Sequence, residues 1–205
     1  MLAPLSYLLF LPARYDEGTE DWPLMVFLHG SGERGDDLNL VKTYGPPKIV
    51  ENTPDFPFVL LSPQCPQDQY WQPRRLLARI EDVVAGYRID RQRIVLTGAS
   101  LGAFGAWATA AADPGRLAAL VPVCGWGDPA WVPALCRMPI WMFHGEDDDV
   151  VPISGSLEML DAIRAAGGDA TLTAYPGVGH DAWTKAYATP ELYTWLLERR
   201  TSGGP

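Results

Sequence analysis

The stretch RIVLTGASLGAFGAWATAAADP, residues 93–114, decides the fold. Its first part, RIVLTGAS (93–100), is a continuous apolar run of strand length, the pattern of a strand covered on both faces. Its second part, LGAFGAWATAAADP (101–114), carries apolar residues at spacings of three and four, and Asp113-Pro114-Gly115 stops it. Between them lies GASLG (98–102). A GxSxG that ends a strand and opens a helix is the context of a nucleophile elbow, where a strained turn lifts the serine hydroxyl clear of the sheet. Glycines at 98 and 102 would let strand and helix approach closely. The bland alternative is an ordinary serine between two chance glycines. With 20 glycines and seven serines in 205 residues, about 0.07 such matches arise at random, so chance is the weaker reading.

Outward from this stretch the same alternation recurs. LMVFLHG (24–30), FVLLSP (58–63), LAALVPVCG (117–125), PIWMFHGE (139–146) and TLTAYP (171–176) read as strands. RRLLARIEDVVAGYRID (74–90), SGSLEMLDAIRAAGG (154–168) and TPELYTWLLERR (189–200) read as helices. Gly167-Gly168 closes the second of these, and Thr189 is the expected N-cap of the third, with Pro190 at its first position. Such alternation predicts an α/β fold, a mostly parallel sheet with helices on both faces. No repeat, low-complexity tract or domain boundary is visible, so 1–205 reads as one domain. TSGGP (201–205) reads as a frayed end. In such a sheet ligands bind at the carboxyl ends of the strands. His29-Gly30-Ser31-Gly32, Ser100, Trp126 and the segment 144–149 all fall there.

Composition narrows the function classes. A hydrophobic content of 47% with 20% charged residues describes a soluble globular chain, and no apolar run approaches a bilayer span. MLAPLSYLLFLPARY (1–15) lacks a positive n-region and a small-residue cleavage site, so it reads as an opening strand rather than a signal peptide. The net charge is −9 with no Lys/Arg cluster, which makes nucleic acid and anionic membranes poor partners. Cys65, Cys124 and Cys136 show no CxxC spacing, so neither a zinc site nor a disulfide framework is expected; one disulfide at most could form. Compartment and oligomeric state are not legible.

A serine hydroxyl is a weak nucleophile and needs a base. His29 and His144 each precede a glycine at the end of a buried strand, which suits a structural role. His180 lies in YPGVGHDAW, a glycine-rich loop after the last strand, free to reach across the top of the sheet. The base in turn needs a carboxylate. HGEDDDVVP offers Glu146, Asp147, Asp148 and Asp149, a run that could also be a solvated loop or a calcium loop. Its position between Ser100 and His180 gives the order Ser…Asp…His, that of the α/β-hydrolase triad.

With HGSGERGDD, SPQCPQDQYW, GASLG, HGEDDDVVP and YPGVGHDAW in order, the chain resembles the α/β-hydrolases of the dienelactone-hydrolase and phospholipase–carboxylesterase type, nearest the compact esterases and predicted peptidases. The resemblance runs from about residue 6 to residue 198. It implies an α/β-hydrolase fold and ester hydrolysis without a cofactor or metal. In the family pattern HGxxDxxVP the acid is the fourth residue after the histidine, which selects Asp148. The residue after His-Gly, here Ser31, would supply one backbone N–H to the oxyanion. The residue after the nucleophile, Leu101, would supply the other, aided by the helix start. Dienelactone hydrolase itself carries a cysteine where this chain has Ser100.

The glycine-rich loop HGSGERGDD suits close backbone approach to a ligand, and Glu33 and Arg34 would brace it as an ion pair. Residues 125–138 are too few for a cap domain, so the site should be open to small, soluble or aromatic esters. Trp71, Trp126, Trp131 and Trp183 could line an aromatic pocket, or simply pack the loops. The leading expectation is a serine carboxylesterase acting on a small-molecule ester. The rivals are a serine peptidase of the same fold and a non-catalytic binding module.

Overall fold

A computed structural model describes residues 4–201. In chain order the strands are β1 (Tyr7–Phe10), β2 (Trp22–Leu28), β3 (Val59–Pro63), β4 (Ile89–Ala99), β5 (Ala119–Val123), β6 (Ile140–Gly145) and β7 (Ala170–Tyr175). The helices are α1 (Pro46–Ile49), α2 (Pro73–Gly86), α3 (Leu101–Ala112), α4 (Val132–Leu135), α5 (Ser154–Ala165), α6 (Trp183–Tyr187) and α7 (Pro190–Leu197). The strands form one sheet in the order β1-β3-β2-β4-β5-β6-β7. Only β1 runs antiparallel, against β3. This is the mostly parallel sheet of an α/β-hydrolase.

Side chains of a strand alternate between faces, and here both faces are dry. Leu24, Val26 and Leu28 of β2 join a core with Leu76, Ile80, Trp107 and Met159 from α2, α3 and α5. Met25 and Phe27 join the opposite core with Ala186, Leu192 and Leu196 from α6 and α7. Burying each large apolar side chain contributes about 1.5–3 kcal/mol, so the two-sided pattern fixes the register.

Element ends depart from the sequence pattern most clearly at α2, β4 and the start of α7. The helix expected through Asp90 stops at Gly86, and β4 begins at Ile89 rather than Arg93. Pairing overrides helical period there: Trp22 donates its N–H to Arg88 O at 2.9 Å, and Ile89 lies opposite Trp22. Thr189 occupies the N-cap of α7, but its hydroxyl donates back to Lys185 O instead of capping. The connection from β5 to β6 holds only one short turn, Pro129–Trp131, and the four residues of α4. Gly167, at φ +78, closes α5 as expected, with Gly168 N–H donating to Ile163 O. Within the opening stretch, β1 starts at Tyr7, and residues 1–3 lie outside the described residues. The TSGGP reading falls outside them too, apart from Thr201. Cys65, Cys124 and Cys136 are free thiols.

Candidate active site

Ser100 stands between β4 and α3 at φ 55, ψ −118, a conformation a serine rarely adopts. Its N–H donates to Val123 O at 2.9 Å, and its carbonyl accepts from Ala103 and Phe104. Two glycines make the turn possible. A Cβ on Gly102 would lie 2.0 Å from Leu28 O, and one on Gly98 would lie 2.4 Å from Gly102 O. Strand β2, the elbow and α3 therefore meet at backbone contact.

The loop after β7 brings His180 to this turn. A Cβ on Gly145 would lie 2.2 Å from Val178 O, so the end of β6 packs directly on the loop. Asp147 N–H also donates to Val178 O at 3.0 Å. His180 Nε2 lies 2.9 Å from Ser100 Oγ, and Nδ1 lies 2.8 Å from Asp148 Oδ2. A carboxylate only accepts, so Nδ1 carries the hydrogen and Nε2 is left to accept from the Ser100 hydroxyl. Asp148 Oδ1 accepts from the N–H groups of Val150 and Val151 at 3.0 and 2.8 Å. Burial pushes the Asp148 pKa up, but the bonds from His180, Val151 and Val150 outweigh it and hold the carboxyl below the usual range. Glu146, Asp147 and Asp149 are exposed, whereas the Asp148 side chain is fully buried.

His144 touches the same carboxylate. Its Nε2 faces Val151 O at 2.8 Å and Asp148 Oδ2 at 3.2 Å, both acceptors. Nδ1 lies 2.8 Å from Ser156 Oγ. Burial lowers the His144 pKa. The contact follows from the four-residue spacing in HGxxD, which the sequence displayed without revealing that histidine and acid meet.

The loop after β2 faces Ser100 from the other side. His29 Nδ1–H donates to Gly30 O at 2.7 Å, and its Nε2 accepts from Cys65 N–H at 3.0 Å. Those partners select the neutral ring, and burial pushes its pKa down to about 4. The Gly30–Ser31 peptide is planar and trans, so holding its carbonyl also aims the Ser31 N–H the opposite way. Neither the Ser31 N–H nor the Leu101 N–H donates to a group among the described residues. The expected Glu33–Arg34 ion pair does not form. Arg34 instead donates to Ser31 O and Gln69 O at 3.0 and 3.2 Å, while Glu33 accepts from Tyr44, a residue no motif had marked.

The tryptophans divide. Trp71 is buried: it is 5% exposed, its indole N–H donates to His29 O, and its ring leaves no room for a Cβ on Gly105. Its large ring is consumed in packing beneath the loop after β2. Trp126 is 43% exposed and, like Trp131, packs on Phe104 of α3. Trp183 meets the His180 ring edge-on at 5.3 Å.

Known proteins with similar chains include several esterases. A crystal structure of a thermostable esterase matches with a TM-score of 0.82 and 33% identity over 95% of this chain. That of esterase PE8 matches with 0.69 and 26% over 91% of this chain and 97% of its own. Acyl-protein thioesterase 1 of Gibberella zeae is 37% identical over 46 residues, 22% of this chain. This chain spans 59% of the thermostable esterase, and the match covers 20% of the thioesterase. The model of the family described as Phospholipase/Carboxylesterase matches residues 76–189, which carry the elbow, the acidic loop and His180. The chain belongs to the phospholipase/carboxylesterase family of α/β-hydrolases.

Proposed function

We propose that this chain is a serine carboxylesterase. Ser100 Oγ attacks the ester carbonyl as its proton passes to His180 Nε2. The oxyanion that forms is met by the N–H groups of Ser31 and Leu101. His180 then gives the proton to the leaving alcohol, and the acyl group stays on Ser100. Water repeats the attack with His180 as base and releases the acid. Asp148 holds the ring tautomer and faces the imidazolium with its charge. The observation that carries this reading is the unbroken hydrogen-bonded chain from Ser100 through His180 to Asp148.

The short β5–β6 connection leaves no insert to cover the site, and Phe104, Trp126 and Trp131 offer an aromatic surface at its edge. These features favour small, soluble or aromatic esters. The test is a panel of p-nitrophenyl acyl esters, hydroxycinnamate esters, acyl thioesters and aminoacyl anilides. Esters should be cleaved, and Ser100→Ala should lose about 10³-fold or more in kcat with an unchanged melt. An organophosphonate should add to Ser100. Preferential cleavage of anilides would replace this reading with a peptidase, and labelling of another serine would remove Ser100 from it.

A further inference from the structure

Tyr44 stands on the loop that enters α1, outside every motif of the sequence. Its hydroxyl accepts the Gly30 N–H at 2.7 Å and donates its own hydrogen to Glu33 Oε2 at 2.9 Å. A carboxylate can only accept and an N–H can only donate, so the two partners leave the hydroxyl one arrangement. Burial and the Glu33 charge push the Tyr44 pKa far up, so the hydrogen stays in place.

The location of Gly30 gives this bond its meaning. A Cβ there would lie 2.7 Å from Tyr44 Oη and 3.6 Å from Ser100 Cβ, so Gly30 lies against both the phenol and the serine. Glycine imposes little of its own on φ and ψ, and bonds must hold it instead. The peptide before Gly30 is held by Tyr44, the peptide after it by His29, and the Ser31 carbonyl by Arg34. The tyrosine ring is pinned as well. It stacks on Trp183 at 4.7 Å, and Trp183 meets His180. Gly45 turns the chain at φ +70, where a Cβ would lie 2.8 Å from the Phe27 ring. One side chain thus touches both the loop after β2 and the wall behind His180.

We propose that Tyr44 is a positioning residue of the oxyanion site: its hydroxyl fixes the Gly30 N–H, and through Gly30 the peptide that offers the Ser31 N–H, while its ring braces Trp183 against His180. The inference rests on the serine-esterase reading. Tyr44→Phe keeps the ring and removes the hydroxyl. A misaimed oxyanion donor should lower kcat for p-nitrophenyl acetate about tenfold and leave KM within about twofold. The Ki of phenylboronic acid, whose tetrahedral adduct on Ser100 presents an oxyanion, should rise by a similar factor. The Gly30 amide should exchange with D₂O faster than in the wild type. A merely structural residue would shift the melting temperature and leave boronate affinity alone. Glu33→Ala, which frees the tyrosine hydroxyl, should move kcat and Ki the same way, and it carries the test if Tyr44→Phe fails to fold. Wild-type kcat and boronate affinity in folded Tyr44→Phe overturn the inference and leave Ser100 untouched. A wild-type chain that cleaves no ester and takes no phosphonate on Ser100 overturns the esterase reading and this inference with it.

Discussion

Asp148 receives N–H groups from Val150, Val151, His180 and His144, with its side chain shut off from solvent. A buried carboxylate is tolerable only when its oxygens are engaged in this way. Its neighbours in the acidic run have no such cage and face water. Asp148→Asn replaces one acceptor oxygen by an NH₂ group, and whichever way the amide turns, two donors face a donor. The His180 tautomer loses its restraint and the imidazolium its counter-charge. The expected result is a fall in kcat of about 10³–10⁴-fold. Asp147→Asn and Asp149→Asn should stay within about threefold, because exposed charges act through screened fields. Steady-state kinetics on the three variants, with thermal melts as a folding check, separate them. A dead Asp147→Asn or Asp149→Asn beside an active Asp148→Asn would move the acid one position along the loop.

The elbow, as an element, works through backbone contact rather than side chains. Alanine is the better helix former by about 1 kcal/mol, so Gly102→Ala should help α3 on propensity alone. Sterics decide the other way. The new Cβ would lie 2.0 Å from Leu28 O and 2.7 Å from His29 O, and backbone cannot step aside as a flexible side chain can. Gly102→Ala should therefore destabilise by about 2 kcal/mol or more, lower Tm by on the order of 5 °C, and displace the loop that carries Ser31. Gly86, the last residue of α2, would place a Cβ in open space, so Gly86→Ala should be neutral or mildly stabilising. Paired calorimetric melts check both; equal Tm values for the two variants would refute the steric account. This contrast also marks what the sequence could and could not disclose. The strand–GxSxG–helix context made the elbow legible, because glycine spacing and hydrophobic period are local. The fate of Tyr87 to Asp90 was not legible, since a pairing with Trp22 far along the chain decides it. α1, α4 and α6 are four or five residues long, too short for a period to show. Trp71 and Tyr44 carried no local sign of their placement, one buried under His29 and the other bonded to Gly30.

For the whole molecule, two opposed effects govern stability as pH falls. The chain carries a net charge of −9, and protonating carboxylates relieves that self-repulsion, which favours the folded state. Against it stand two buried histidines that must charge if the fold is to take up the same protons as the unfolded chain. His29 is wholly buried, and its pKa drops from 6.5 to about 4, chiefly by burial. Between those values the unfolded chain binds a proton that the folded chain refuses, so stability rises with pH and is lost on acidification. From His29 alone the loss is on the order of 1 kcal/mol at pH 5.5 and on the order of 2–3 kcal/mol at pH 4.5. His144 is lowered for the same reason and adds in the same direction. Asp148, whose pKa is held below 3.8, contributes stability that persists above that value and drains away below it. Surface repulsion is spread over the molecule and screened within about 10 Å at 0.1 M salt, so the histidines should win. Urea unfolding at constant ionic strength should show stability falling steadily from pH 7.5 to 4.5, and raising the salt should leave the slope in place. His29→Asn keeps an N–H for the Gly30 carbonyl but cannot titrate, so its stability should vary less over the same range. A wild-type curve that is flat or rises toward acid would show instead that net charge, not the buried imidazoles, sets the acid limit of this fold.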